Sequence, residues 1–357
     1  MKRNALNKLN VCRAILFLSA ISLSTVHAQQ KKFSVGTASA SLGEKITGFL
    51  EVPAGVDPGT NIPLVVVRGI RPGPVLALVS GLHGTEYTSI VAVERLISIL
   101  QPSEISGTVI LIPLVNLPSF EQKVPHLNPV DKKSMNRFYP GNPHGTQTER
   151  VSWAITEQVV DQCDYLIDFH GGDLDENLRP YAYWAPTGRA KQDAISRDMV
   201  LAFGLDHIII WNDRPRDPTK YLDNTSSVRG KPSLAVEAGY AGRVEPDDVG
   251  ALANGTLSVM RYLKMLPGSP APIQHPVWIE RIETIASDQT GIFYPLVQRG
   301  TYVAAGMRVG YVTDYFGKTI VEARASVAGV VLYLCAVPSM NKGDTIANIG
   351  VVASKAP

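Results

Sequence analysis

Short uninterrupted apolar runs alternate with stretches of helical spacing through the first two thirds of this chain, and that alternation restricts the fold more than any other feature of the sequence. Residues 74–80 (Pro-Val-Leu-Ala-Leu-Val-Ser) and 107–113 (Gly-Thr-Val-Ile-Leu-Ile-Pro) are bounded by turn residues and have no polar alternation. They read as strands covered on both faces. Between them, Ile90, Val91, Val93, Leu96, Ile97 and Leu100 recur at helical intervals within residues 88–100. The same alternation predicts helices over 147–160, 193–203 and 249–266 and strands over 165–169, 207–211 and 233–237. Strands that alternate with helices imply a three-layer α/β domain around a mostly parallel, mixed sheet. Residues 31–67, punctuated by Gly36, Gly43, Gly48, Pro53, Gly55, Pro58 and Gly59, read as an antiparallel element preceding it.

The patterning changes at residues 267–273, Pro-Gly-Ser-Pro-Ala-Pro-Ile, which read as a linker. Beyond it helical spacing stops and short strand-like pieces recur between glycines, so residues 274–357 read as a smaller all-β domain with a structural or gating role. The α/β domain is placed at residues 29–266. Residues 1–28 stand apart. Lys2, Arg3, Lys8 and Arg13 come without an acid, a ten-residue apolar run follows, and Val26-His27-Ala28 closes it. A basic head, a short apolar middle and a small-residue site read as a secretory signal peptide cut after Ala28, which places the mature protein in the periplasm or outside the cell. Removing it leaves 30 basic against 32 acidic residues. The basic character therefore belongs to the leader and gives no argument for a nucleic-acid partner. Cys12 leaves with the leader, and Cys163 and Cys335 read as buried free thiols rather than a disulfide framework.

Chemistry gathers where the predicted strands end. Ser80-Gly-Leu-His83-Gly-Thr-Glu86 follows the strand at 74–80, and the carboxyl ends of strands are where open α/β sheets bind ligands. An imidazole and a carboxylate three residues apart across a turn can reach one point, as zinc ligands do. His170 closes a second apolar strand and is followed by two glycines. Asp168 lies on the same strand face, where it reads either as an orienting partner for that imidazole or as an ordinary strand-end hydrogen bond. Glu237 ends the run Ser233-Leu-Ala-Val, where a carboxylate is costly to bury without a purpose. Between the strands lies a long polar loop holding Asn136-Arg137, a pair able to grip a carboxylate or polarise a carbonyl. Asp173, Asp175 and Glu176 read as pocket lining or as a solvated turn, and His144, His207 and His275 as loop or packing residues.

Taken in order, His-Gly-x-Glu, Asn-Arg-x-x-Pro-Gly, strand-His-Gly and Glu-x-Gly resemble the zinc carboxypeptidase-like superfamily, and most closely its succinylglutamate desuccinylase/aspartoacylase branch, over residues 75 to 266. The resemblance implies a sheet of zinc-carboxypeptidase type and one Zn2+ per chain on His83, Glu86 and His170. It implies that Asn136 and Arg137 bind the substrate, with Arg229 as an additional grip, and that Glu237 is the general base and acid. Two features depart from the branch. Many relatives carry a carbonyl-polarising arginine about ten residues before the Asn-Arg pair, where this chain has His126, and the leader is unlike the cytosolic members.

The expected activity is zinc-dependent hydrolysis of an amide bond in a small N-acyl amino acid or related acylated compound, with a zinc-activated water and Glu237 as base. An exported metallocarboxypeptidase acting on peptides and a non-catalytic binding module on the same fold are the alternatives. The expected partner is an acylated amino acid or short peptide. No stable membrane span is expected once the leader is removed, and self-association is left open.

Overall fold

The computed structural model describes residues 32–211 and 220–357, so the leader read at residues 1–28, with Cys12, lies outside the described residues. The chain enters through β1 (Phe33–Val35), β2 (Ala38–Ala40), β3 (Lys45–Val52) and β4 (Thr60–Arg68), with β1–β2 and β3–β4 paired antiparallel. Strand β5 (Arg71–Ser80), helix α1 (Tyr87–Ile99) and strand β6 (Ser106–Ile112) follow, β5 and β6 side by side and parallel. Helix α2 (Leu117–Gln122) starts where the Asn116 side chain accepts from the Ser119 amide, and α3 (Gln147–Ile155) starts on a reciprocal cap between Thr146 and Glu149. Then come β7 (Tyr165–His170), β8 (Glu176–Trp184), α4 (Ala190–Phe203), β9 (His207–Ile210), α5 (Leu222–Val228), β10 (Ser233–Tyr240) and α6 (Pro246–Tyr262). The remaining elements are strands: β11 (Val277–Ala286), β12 (Gly291–Pro295), β13 (Tyr302–Val303), β14 (Arg308–Thr313), β15 (Thr319–Arg324), β16 (Gly329–Cys335), β17 (Ser339–Met340) and β18 (Thr345–Val352).

Among the described residues, twelve strands join one mixed sheet in the order β13-β16-β18-β11-β9-β8-β10-β7-β5-β6-β4-β3. Parallel pairing is confined to β6-β5-β7-β10 and to β8-β9-β11. The remaining pairings are antiparallel: β8 with β10 at the centre, the opening hairpin on one flank and the C-terminal strands on the other. A four-stranded sheet, β15-β14-β12-β17, completes the C-terminal region.

The central strands are apolar without alternation because both of their faces are covered. Leu76, Leu78, Ile167 and Phe169 pack into a core with residues of α1, α4 and α6, while Ala77, Val79 and Leu166 belong to a second core with β1–β4 and α3. Burial of one such large side chain contributes roughly 1.5–3 kcal/mol. Strand β8 was not legible as a strand. Its sequence, Glu-Asn-Leu-Arg-Pro-Tyr-Ala-Tyr-Trp, carries polar residues and a proline, and it is held in place by antiparallel pairing with β10 and β16 and parallel pairing with β9. Cys163 and Cys335 are both free and buried, and burial pushes the Cys163 thiol up to about 12, which keeps it protonated and unreactive. Among the described residues no helix is long and apolar enough to cross a membrane.

Candidate functional site

Strands β5, β7 and β10 lie side by side and parallel, so their carboxyl ends open on the same edge of the sheet. The segment after β5 carries His83 and Glu86, and its path is fixed by contacts that leave no room for a side chain at Gly84. A Cβ there would meet the Phe120 amide nitrogen at 2.4 Å and the Asn116 carbonyl at 2.6 Å. The Gly84 amide donates to Ser119 Oγ, and the Asn116 side chain donates to the Leu82 carbonyl. Glu86 then sits at the start of α1, with its carboxylate turned toward β7.

That carboxylate is the hub of the site. Glu86 Oε1 lies 2.6 Å from His83 Nδ1, and Oε2 lies 3.0 Å from His170 Nδ1 and accepts the Gly171 amide at 3.2 Å. Burial pushes the Glu86 carboxyl up, but the imidazoles of His83 and His170 outweigh it and hold the group down at about 2. Conversely, burial depresses His170, yet Asp168 and Glu86 together lift it well above the ordinary histidine value. One potential ligand atom from each of His83, Glu86 and His170 falls within a span of 4.8 Å. Two Nδ1 atoms and a carboxylate converging in this way suit a divalent metal, which would replace the protons now shared between them.

The far side of His170 fits the same conclusion. Asp168 Oδ1 is 3.3 Å from His170 Nε2, close enough to orient the ring of a ligating histidine. Asp168 is 1% exposed, and neither carboxylate oxygen has a hydrogen-bond partner among the described residues. A buried carboxylate beside an imidazole is placed to orient it. Asn136, expected to grip substrate, is itself buried: its Oδ1 accepts the Leu222 amide at 2.9 Å and its Nδ2 lies 2.9 Å from His170 Nε2. Arg137 stacks on the Tyr221 ring at 4.6 Å and donates one N–H to the Asn136 carbonyl.

Glu237 stands directly opposite His170 in the parallel register of β10 and β7. Burial is the main reason its carboxyl is raised well above the usual carboxylate range. Glu86, Glu176 and Asp168 push it further up, and His170 opposes them. The four groups open into a cavity of about 350 Å³ whose lining also includes Ser134, Arg137, Glu176, Tyr183, Trp211, Tyr221, Asp223 and Asn224. The last five of these gave no sequence signal as a site, since they lie on β8, around α5 and at a strand exit without a motif.

A model of the succinylglutamate desuccinylase/aspartoacylase catalytic domain matches residues 72–263, more than half of the chain. The chain belongs to this family. Over 315 residues it is 29% identical to the N-alpha-acetyl-L-2,4-diaminobutyric acid deacetylase of Halomonas elongata, a match spanning 85% of this chain and 91% of the relative. The fold is shared with a succinylglutamate desuccinylase/aspartoacylase from Rhodobacter sphaeroides (TM-score 0.79, 23% identity, 90% of this chain and 100% of the other). It is shared too with the product-bound ectoine utilization protein EutE from Ruegeria pomeroyi (TM-score 0.80, 24% identity, 88% and 98%).

Two positions differ from what the family resemblance implied. Arg229 is not in the cavity. It precedes the amino end of β10, about 13 Å of strand before Glu237 at 3.3 Å per residue, and its Nε donates to Asp161 at 2.9 Å in a separate surface depression. Closeness in sequence to the Glu237 strand says nothing about which end of that strand a residue occupies. His126, near the place where the resemblance implied an arginine, does line the cavity, but both ring nitrogens face carboxylates. Nε2 is 2.9 Å from Asp175 and Nδ1 is 3.3 Å from Asp173, while the backbone amide donates to Asp173 at 2.9 Å. The acidic cluster is therefore divided between tasks, with Asp173 and Asp175 holding the loop through His126 and Glu176 lining the cavity.

His126 has a measurable signature. Burial lowers its pKa, but the hydrogen bond to Asp175 and the charges of Asp173, Asp175 and Glu176 raise it to about 9. Because the folded value lies above the unfolded one, near 6.5, the latch stabilises fully below pH 6.5 and is lost as pH rises through about 9. His126→Gln is expected to flatten the fall in Tm between pH 7 and 10 and to speed proteolysis of the loop at pH 7. A variant whose melting profile overlays the parent at every pH would show that the latch contributes nothing. Among the remaining histidines, His207 is buried against Asp206 and His144 lies on an exposed turn, both outside the cavity.

Proposed function

We propose that this family member is a zinc-dependent deacylase that hydrolyses the amide bond of a small N-acyl amino acid. The observation that carries the reading is the convergence of His83, Glu86 and His170 on one point, with Glu237 in register across from His170. Zinc held by those three residues supplies a Lewis acid that lowers the pKa of water and polarises a carbonyl. The residues of the chain supply the rest. Glu237 takes a proton from the attacking water as its oxygen bonds to the acyl carbon, and returns it to the nitrogen as the carbon–nitrogen bond breaks. Arg137, braced on Tyr221, holds the carboxylate of the amino acid. Asn136 links His170 to α5 and keeps the ligand side of the cavity in step with the substrate side. The relative from Halomonas elongata carries the name of a deacetylase acting on an N-acetylated amino acid, which supports this substrate class. With the leader read at residues 1–28, the enzyme acts outside the cytoplasm.

The test couples metal analysis to hydrolysis. Purified protein is expected to hold about one zinc per chain and to release free amine from N-acyl amino acids in a chelator-sensitive way. Protein that takes up no zinc, or that cleaves only free-carboxyl peptides, would overturn the reading. Asp168→Asn is expected to weaken zinc binding by roughly 10–100-fold, the usual effect of losing the partner of a ligating histidine. Competition with a chromophoric chelator reads this without reference to turnover, and an unchanged affinity would remove Asp168 from the metal site.

A further inference from the structure

The strand that carries Glu237 ends in backbone packed against backbone. A Cβ at Gly171 would meet the Ala238 carbonyl oxygen at 2.6 Å, and one at Gly172 would meet the Gly239 carbonyl at 2.5 Å. Gly239 has a φ of +147°, a conformation that L side chains rarely adopt. On its other side the ladder with β8 is irregular. Glu237 faces Tyr181 but Gly239 faces Leu178, so β8 advances three residues while β10 advances two. Bulges of this kind re-aim the side chains beside them. One cation spans the irregular step. Arg299 Nη1 donates to the Leu178 carbonyl at 2.7 Å and to the Gly239 carbonyl at 3.2 Å. Both of its terminal nitrogens lie 3.2 Å from Asp248 Oδ2 in the first turn of α6.

The guanidinium thus ties β8, β10 and α6 together, and its place is set from outside them. Arg299 lies in the loop between β12 and β13, beyond the family match at residues 72–263. The Gly300 amide donates to the Val331 carbonyl at 2.7 Å, which holds that loop to β16. A planar fork can serve a carboxylate and two carbonyls at once, where the point charge of an ammonium could not keep the same geometry. The carboxylates that β8 and β10 bring to the cavity, Glu176 and Glu237, each stand two residues from a clamped carbonyl. That is about 7 Å along a strand. A shift of either strand end therefore moves a carboxylate at the cavity, and a misplacement of about 1 Å can cost about a hundredfold in rate.

We propose that Arg299 is a positioning residue for Glu237: a cation supplied by the C-terminal strands locks the end of β10 to β8 and fixes the base beside the candidate metal ligands. This rests on the deacylase reading, in which Glu237 moves the proton. Arg299→Ala in the zinc-loaded full chain, assayed on N-acetyl amino acids, is expected to lower kcat by about ten- to a hundredfold. KM and zinc affinity should stay within about threefold of the parent. The Arg299 side chain is 30% exposed, so guanidinium chloride at a low, non-denaturing concentration should enter the gap. It is expected to recover part of the variant's kcat and to leave the parent unchanged. A merely structural role would lower Tm and spare kcat per folded molecule, and that result overturns the proposal. So does joint loss of zinc affinity, which would place the clamp on the ligands rather than the base. If Arg299→Ala does not fold, Asp248→Asn, which takes the counter-charge from the guanidinium, is expected to lower kcat about threefold at constant KM. An unchanged kcat there also overturns it. If the parent cleaves no N-acetyl amino acid, the deacylase reading falls and hydrogen exchange decides the clamp. Amides of residues 236–240 exchanging at least about tenfold faster in the variant, with those of residues 75–80 unchanged, support it, and equal rates at residues 236–240 end it.

Discussion

Glu237→Gln is expected to lower kcat about a thousandfold, within the range that a positioned general base contributes, while zinc content and substrate KM stay near those of the parent. Glutamine keeps the volume of the side chain in β10 and removes only the group that accepts and returns the proton. Glu237 is not among the three residues whose potential ligand atoms cluster, so the metal should survive the change. The substitution also relieves a strain. The parent carboxyl is buried among Glu86, Glu176 and Asp168, which together with desolvation oppose its ionisation. The variant should therefore melt no lower than the parent, and this separates a chemical role from a structural one. Activity retained within tenfold would remove Glu237 from the reaction. Joint loss of activity and zinc would make it a structural support of the metal site instead.

The second large effect is expected from His170→Ala. Loss of a residue that merely braces a ligating histidine already weakens zinc binding about 10–100-fold, so loss of the ligand itself should exceed about 100-fold and abolish turnover at ordinary zinc concentrations. Stability should fall as well. His170 lies between Glu86 and Asp168, both at least nineteen-twentieths buried, and its removal leaves the two carboxylates facing each other across a void. Removing one partner of a buried ion pair costs about 3–5 kcal/mol, which a denaturant titration of metal-free parent and variant would read directly. The double variant His170→Ala with Asp168→Asn should recover part of that loss without recovering zinc binding. A His170→Ala protein that binds zinc as the parent does would remove His170 from the ligand set.

The convergence of His83, Glu86, His170 and Glu237 was legible because it depends on local order. Runs such as Val75–Ser80 and Leu166–Phe169 must be doubly covered strands, and a histidine or glutamate just past each must lie at the carboxyl edge. Three strands of that kind in one sheet bring His170 and Glu237 to the edge where the β5 exit loop, fixed by its contacts at Gly84, holds His83 and Glu86. The opposite wall of the cavity was not legible for the opposite reason. Trp211, Tyr221, Asp223 and Asn224 come from a strand exit and a short helix whose placement is set by packing on β7 and β10 rather than by any pattern of their own. Arg229 shows the same limit, since a guanidinium near the right strand turned out to stand at its wrong end. His126 was recognised as the odd residue at its position, but that both its nitrogens are spent on Asp173 and Asp175 depends on a contact across 47 and 49 residues of sequence.

The pairing of β16 with β8 bears on how far this chain can be divided. Cys335 stands opposite Glu176 in that ladder, Tyr333 opposite Leu178, and the Ala336 amide donates to the Asp175 carbonyl. The family match ends at residue 263, yet the strand carrying Glu176 to the cavity is laced to backbone some seventy residues beyond that limit. A protein cut at the end of the match would keep every candidate metal ligand and lose the outer seam of the strand beside them. The C-terminal strands therefore support the cavity wall rather than forming a separable appendage. Any replacement for the tail would have to reproduce the same ladder to keep Glu176 at the cavity.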